Sequence, residues 1–379
     1  MQYEYIGPGS LARLSEVLEK EKPSSVFVVT GKNSYQRSGA QKMFESLLSD
    51  YKVIFFSDFS VNPQLEDVKK GIALFRRSGC DLVIAIGGGS VIDIAKSINF
   101  LAAQYEVPED YITKKLIAAH KPKSFVAIPT TAGTGSEATH FAVVYIGKTK
   151  YSLGHQGWML PKYVFLDPNL SFNLPKYITA STGIDALCQA VESYWSTQST
   201  EESKEYARKA IKIILDNLAS AVNNPSAPNR EAMLLGANLA GKAINVSKTT
   251  ACHAVSYPMT SYFGVSHGHA CALTLGEMCL YNSAVTDDDC LDGRGAESVK
   301  KTLSELCSLF QVQASKQLQE KINNLMDQIG LTRRLVDLKI NSPEHHDIIV
   351  AHGFNPERVN NNPRELTEGA LRDILKRIS

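Results

Sequence analysis

The residues best suited to chemistry fall in two groups. In Gly183-Ile184-Asp185-Ala186-Leu187-Cys188-Gln189, Asp185 and Gln189 stand four residues apart, hence on one face of a helix, and each offers an oxygen to a cation. Downstream, His253 and His267 are separated by fourteen residues and can converge from neighbouring helices. A carboxylate with two imidazoles is a competent site for Fe²⁺ or Zn²⁺ that keeps a position open. The second group is glycine-rich. In IGGGSVIDIAK, Gly87, Gly88, Gly89 and Ser90 follow an apolar run and precede a helix, so backbone N–H groups can approach a pyrophosphate at the positive end of the helix dipole. Ser90 with Asp93 can also be read as a capping box with no ligand. The loop after Pro129 carries Thr130, Thr131, Thr134 and Ser136, whose hydroxyls and flexible amides suit phosphate or ribose; a plain flexible turn is the alternative.

These loops need a sheet to hold them. Up to about residue 170, runs such as Ser25–Thr30, Val53–Phe56, Leu82–Ile86 and Phe125–Pro129 alternate with amphipathic segments of helix length, the pattern of a parallel α/β sheet. Sites on such sheets form beyond the carboxyl ends of the strands, so residues 31–34, 87–90 and 130–139 are expected along one edge. After Asp167-Pro168 the strand signals fade. Apolar residues then recur at three- and four-residue spacing, as in the segment 201–222, and the stretch NNPSAPN at 223–229 reads as a loop. The expected architecture is an α/β dinucleotide-binding domain with a Rossmann-like parallel sheet at 1–172, then an all-α metal-binding domain at 173–379, sharing a ligand cleft.

Composition narrows the classes. Of 379 residues, 40 are Lys or Arg and 39 Asp or Glu, a balance that gives no basic face for nucleic acid. The seven cysteines include no CxxC pair, which argues against a disulfide framework and a thiolate zinc knuckle and fits a reducing cytoplasm. The start lacks a signal pattern and the longest apolar stretches are interrupted, as by Glu277, so a soluble protein with no membrane partner is expected.

Eight segments in order carry a resemblance: GPGS at 7–10, GGGSVIDIAK, IPTTAGTGSEAT, LDPNL at 166–170, GIDAL, HAVSYP, SHGHA and NNPRELT. With them, nearly the whole chain resembles the iron-containing, group III alcohol dehydrogenase family, which includes glycerol dehydrogenases and is related in fold to dehydroquinate synthases. The resemblance implies NAD(P)H as cofactor, a divalent metal that polarises the substrate oxygen, and often a homodimer or larger homo-oligomer. Asp185, His253 and His267 match the family's metal ligands, while Gln189 stands where a histidine is usual. Tyr257 stands where relatives often carry a further histidine, and would relay protons only as a neutral phenol or else shape the pocket. Gly31 occupies a place that is acidic in many relatives; with Gly31, Lys32 and Asn33 there, a 2′-phosphate is not repelled, and NADPH is an expected cofactor.

Lys248, Thr249 and Thr250 precede the first ligating histidine, and together with Lys150 they suit a tetrahedral anion on the substrate. His155 follows Lys150 and is a secondary candidate for the cleft. The wider pattern is similar to the phosphonoacetaldehyde reductase branch of the family, which implies reduction of phosphonoacetaldehyde to 2-hydroxyethylphosphonate. A dehydrogenase of uncharged short-chain alcohols or polyols, a lyase using NAD transiently, and a nucleotide-binding sensor that has lost its metal remain alternatives.

Overall fold

The structure is a computed structural model describing residues 2–379. The described residues form two compact units: residues 2–174 with 226–234, and residues 175–225 with 235–379.

The first unit is built on eight strands: β1 (Tyr3–Ile6), β2 (Ser25–Thr30), β3 (Lys52–Phe56), β4 (Leu82–Gly87), β5 (Ser124–Pro129), β6 (Phe141–Ile146), β7 (Thr149–Gly154) and β8 (Tyr163–Leu166). Six of them form one parallel sheet in the order β1-β8-β5-β4-β2-β3. Its helices are α1 (Leu14–Glu21), α2 (Ser34–Arg37), α3 (Ala40–Leu47), α4 (Leu65–Ser78), α5 (Gly89–Ala102) and α6 (Pro108–Thr113). β2 and β4 are buried at every residue, as interior strands of a parallel sheet covered on both faces must be. Alternation along them serves two cores. Phe27, Val29, Val83 and Ala85 pack with Val68 and Ile72 of α4 and with Ile94 and Ile98 of α5. Val26, Val28, Ile84 and Ile86 pack with Leu14 and Val17 of α1 and Phe44 of α3. Each such side chain taken fully out of water contributes about 1.5–3 kcal/mol.

β2, β4 and β5 are neighbours, so the three small-residue loops emerge side by side at their carboxyl ends. β6 and β7 form a separate antiparallel hairpin that packs on α5. Two recurring segments meet at the fully buried Asp167, which accepts from Gly9 N (3.1 Å), Leu11 N (3.2 Å) and Asn169 N (3.1 Å). The GPGS turn and LDPNL thus tie the chain start to the end of β8.

The second unit is helical: α7 (Lys176–Trp195), α8 (Glu201–Asn223), α9 (Ala227–Ser247) from Leu235 onward, α10 (Ala251–Phe263), α11 (His267–Ser283), α12 (Ala296–Leu309), α13 (Ser315–Gln328), α14 (Pro343–His352), α15 (Pro356–Val359) and α16 (Glu368–Arg377). The loop expected at 223–229 is shorter, because α8 continues to Asn223 and α9 starts at Ala227. α7 is buried over almost its whole length and packs on both α8 and α11, while α10 packs on α11. Among the described residues no helix is long and apolar enough to cross a membrane, and all seven cysteines are free thiols.

Candidate metal centre and nucleotide loops

Three helices of the second unit supply one donor cluster. Asp185 lies in the buried middle of α7, His253 in the first turn of α10, and His267 opens α11. The ligand atoms of Asp185, His253, His267 and Cys271 all lie within 4.8 Å of one another. Asp185, His253 and Cys271 are buried and His267 is half-buried, leaving one less enclosed side. Cys271 belongs to no CxxC pair, and its sequence signal is the i,i+4 spacing from His267, which places both on one face of α11.

Glycine sets how closely these helices approach. A Cβ on Gly268 would overlap the Ser181 carbonyl oxygen and fall 2.5 Å from the Asp185 Cβ, so only a residue without a side chain lets α11 lie against α7 here. A hydrogen bond of 2.6 Å between the hydroxyls of Ser181 and Ser266 joins the same two elements.

The residue that organises His253 is Glu192, two turns beyond Asp185 on α7 and fully buried. Its Oε1 accepts from Thr250 N (3.1 Å), Thr250 Oγ1 (2.8 Å), Cys252 N (2.9 Å) and His253 N (3.3 Å), so a carboxylate from α7 caps the amino end of α10. Its other oxygen accepts from His253 Nδ1. That bond places the imidazole proton on Nδ1 and turns Nε2 toward Asp185 Oδ1, 3.6 Å away. His253 Nε2 is buried and has no hydrogen-bond partner among the described residues. A buried ring nitrogen aimed at a carboxylate calls for positive charge between them, a proton or a metal cation, and the N, N, O and S donors around it fit a divalent metal. Burial alone would depress the imidazole, but Cys271, Glu192 and Asp185 outweigh it and hold His253 well above its ordinary range. Burial likewise pushes Glu192 up, and His253 and Thr250 more than reverse this.

Gln189 lies one turn along α7 from Asp185, and its Nε2 donates to Asp185 Oδ2 at 3.3 Å. This contact orients the carboxylate. Tyr257 is buried on α10 with its ring 6.1 Å from that of His267. His269, the other imidazole of the SHGHA segment, bonds Thr332 O at 2.8 Å and so serves packing.

Lys248 is exposed and adopts φ 62°, the left-handed region, in the turn between α9 and α10. Asn361, from the NNPRELT segment, holds that turn by donating to Thr249 O at 3.1 Å. Thr250 does not serve as an anion donor: its one O–H goes to Glu192 and its oxygen accepts from Trp195 Nε1 at 2.9 Å. The anion cluster expected from the sequence therefore loses Thr250. Lys150 lies in the first unit, on β7 beside Asp93. His155 is stacked on Trp158 at 4.4 Å.

In the first unit the glycine loop and the threonine loop interlock. Gly88 faces the Thr131 side chain, where an added Cβ would sit 3.3 Å from Oγ1, and one on Gly89 would fall 2.6 Å from the Thr134 side chain. Thr130 N donates to Gly87 O at 3.0 Å, while Thr130 Oγ1 is buried with no partner among the described residues. Gly88 caps α5 with no side-chain hydrogen bond, so Ser90 and Asp93 form no capping box. Asp93 instead accepts from Ser136 Oγ (2.5 Å) and Val143 N (3.1 Å). The buried Lys96 donates to Ser136 O, Thr139 O and Phe141 O, which fixes the far side of the same loop. Burial brings Lys96 down to about 8 even beside Asp93. Gly31 and Lys32 follow β2, with Lys32 Nζ 3.2 Å from Asp58 and Asn33 exposed.

Loops of this kind on a parallel sheet, with a buried mixed-donor cluster in a helical unit, define a nicotinamide-dependent, metal-assisted oxidoreductase. The chain belongs to the iron-containing alcohol dehydrogenase family: residues 4–168 match "Iron-containing alcohol dehydrogenase" and residues 179–379 match "Fe-containing alcohol dehydrogenase family, C-terminal". It is similar to the phosphonoacetaldehyde reductase of Streptomyces viridochromogenes, 34% identical over 305 residues covering 78% of this chain and 75% of that one. Long-chain-alcohol dehydrogenase 1 of Geobacillus thermodenitrificans is 31% identical over 337 residues, 87% of this chain and 83% of that one. The solved structure of sulfoacetaldehyde reductase from Bifidobacterium kashiwanohense in complex with NAD⁺ superimposes with a TM-score of 0.87 at 29% identity, covering 100% of this chain and 96% of that one. The protein is an NAD(P)-dependent alcohol dehydrogenase or aldehyde reductase, of a family that uses iron or another divalent metal.

Proposed function

We propose that the protein reduces phosphonoacetaldehyde to 2-hydroxyethylphosphonate with NAD(P)H. The observation that carries this reading is Lys248, an exposed cation in left-handed backbone five residues before His253. Its N–H donates to Ile244 O at 2.9 Å, so it closes α9 in the left-handed conformation common at helix ends and starts the turn that leads to His253. The similarity to phosphonoacetaldehyde and sulfoacetaldehyde reductases supports the same view, since both named substrates join an aldehyde to a tetrahedral oxyanion.

In this reading Asp185, His253 and His267 hold the metal, with Gln189 and Glu192 orienting the first two. When bound, the metal supplies Lewis acidity toward the carbonyl oxygen and the reduced nicotinamide supplies the hydride. Gly87, Gly88, Gly89, Ser90, Thr130, Thr131 and Thr134 receive the nucleotide, and Gly31 with Lys32 admits a 2′-phosphate. The Lys32–Asp58 pair is exposed on both sides, a contact worth about 0–1 kcal/mol, so Lys32 is readily drawn to a phosphate. Free thiols throughout support placing the enzyme in the cytoplasm, and the family resemblance supports a homo-oligomer.

The test is steady-state kinetics of Lys248→Ala with phosphonoacetaldehyde and with acetaldehyde. The expected result is a loss in kcat/KM of about 100-fold for the phosphonate, the worth of a charge-assisted contact of about 3 kcal/mol, and little change for acetaldehyde. Equal losses on both substrates would remove the anion role and favour the dehydrogenase of uncharged alcohols.

A further inference from the structure

In the family resemblance a histidine completes the metal ligands at the position of Gln189. In this chain the side chain there hydrogen-bonds Asp185 at 3.3 Å, and a different element brings another donor into the cluster. Cys271, one turn after His267 on α11, places Sγ 4.0 Å from His267 Nε2. We propose that Cys271 is the fourth metal ligand, giving an O, N, N, S donor set from Asp185, His253, His267 and Cys271. The inference rests on the metal-dependent reading above and adds to it the chemistry of the ion's surroundings.

The distances fit one ion at the centre. With metal–sulfur bonds of about 2.3 Å and metal–nitrogen bonds of about 2.0–2.1 Å, two ligands at the tetrahedral angle stand about 3.6 Å apart, and an oxygen–nitrogen pair about 3.4 Å. The sulfur–nitrogen separation is 4.0 Å for Cys271 and His267, and the oxygen–nitrogen separation is 3.6 Å for Asp185 and His253. Contraction by a few tenths of an ångström closes the shell around an ion. The second observation is His253 Nε2, buried inside the same cluster and without a hydrogen-bond partner among the described residues. One imidazole of the family's set is thus replaced by a thiolate from the facing helix, keeping four protein ligands while lowering the hardness of the site.

The test uses the full chain loaded with Co²⁺ or Zn²⁺ alone, without substrate or nicotinamide. The expected results are one sulfur scatterer at about 2.3 Å in zinc X-ray absorption and a near-ultraviolet thiolate-to-cobalt charge-transfer band. That band is expected to disappear in Cys271→Ser and to persist in Cys188→Ser, whose thiol lies on α7 nearby. A bound ion with only nitrogen and oxygen neighbours, or a band that survives Cys271→Ser, overturns the thiolate ligand while leaving the metal reading intact. Failure of the unsubstituted protein to bind a stoichiometric ion overturns both. The X-ray absorption measurement needs no variant, so the outcome does not depend on how well Cys271→Ser folds.

Discussion

Glu192→Gln isolates the one contact that decides whether His253 can bind a metal. The carboxylate accepts from four donors on Oε1 and from His253 Nδ1 on Oε2, so an amide can reproduce only one of these two faces. Its oxygen will keep the four-donor face, leaving an NH₂ group opposite Nδ1. The imidazole then accepts at Nδ1 and carries its proton on Nε2, the atom aimed at Asp185 and needed by the ion. Returning the proton to Nδ1 sets donor against donor and forfeits a charge-assisted hydrogen bond of about 1.5–3 kcal/mol. That is about 10- to 100-fold in metal affinity, the range typical for loss of a carboxylate behind a ligating histidine. The capping charge on α10 is also lost, so the metal-free protein should unfold more easily by about 1–2 kcal/mol. Competition against a chelator of known affinity reads the first effect, and urea unfolding of the metal-free protein the second. Metal affinity within threefold of the parent would refute the tautomer argument.

Further expectations follow from single contacts. Gly268→Ala should push α11 away from α7, costing about 3 kcal/mol in urea unfolding and greatly weakening metal binding; parental values for both would show the approach is not needed. Gly31→Asp, whose Cβ obliges the Ser34 hydroxyl to turn away, should lower the NADPH to NADH ratio of kcat/KM at least about tenfold, or else Gly31 does not face the adenosine ribose. Burial pushes the Glu21 carboxyl up, but hydrogen bonds from Lys162, Ser124 and Tyr163 overcome this and hold it at about 2 against an ordinary 4.5. Its folded value is depressed, so its stabilisation is present above pH 4.5 and is lost as pH falls toward 2. Allowing for screening at the more exposed Lys162, the difference between parent and Glu21→Gln should be about 1 kcal/mol at neutral pH and shrink over that window; a pH-independent difference would show that the ion pair is not responsible.

Much of the frame was legible in residue order. β2, β4 and β5 appeared as apolar runs ending in small residues, because strands buried on both faces must be apolar along their length. β1 and β8 were not singled out, since each is only four residues long and their pairing joins Tyr3 to Tyr163, a contact no local periodicity encodes. The same holds around the metal cluster. Asp185, His253 and His267 were picked out by type and spacing, whereas Glu192 reads as one more helical glutamate until α10 is packed against α7.

The sequence by itself determined the order of strands and helices, the loops of small residues, and which imidazoles and carboxylates were available, because these depend on side-chain type and on helical or strand period. Only the tertiary structure decided which donors share a centre. It brought Cys271 into the cluster, set Gln189 to orienting Asp185, committed Thr250 to Glu192, and tied Ser136 to Asp93. Each of those choices depends on distances between helices or loops, set by close packing at positions such as Gly268 and Gly89. Such packing acts between residues far apart in the chain, where spacing along the sequence carries no information.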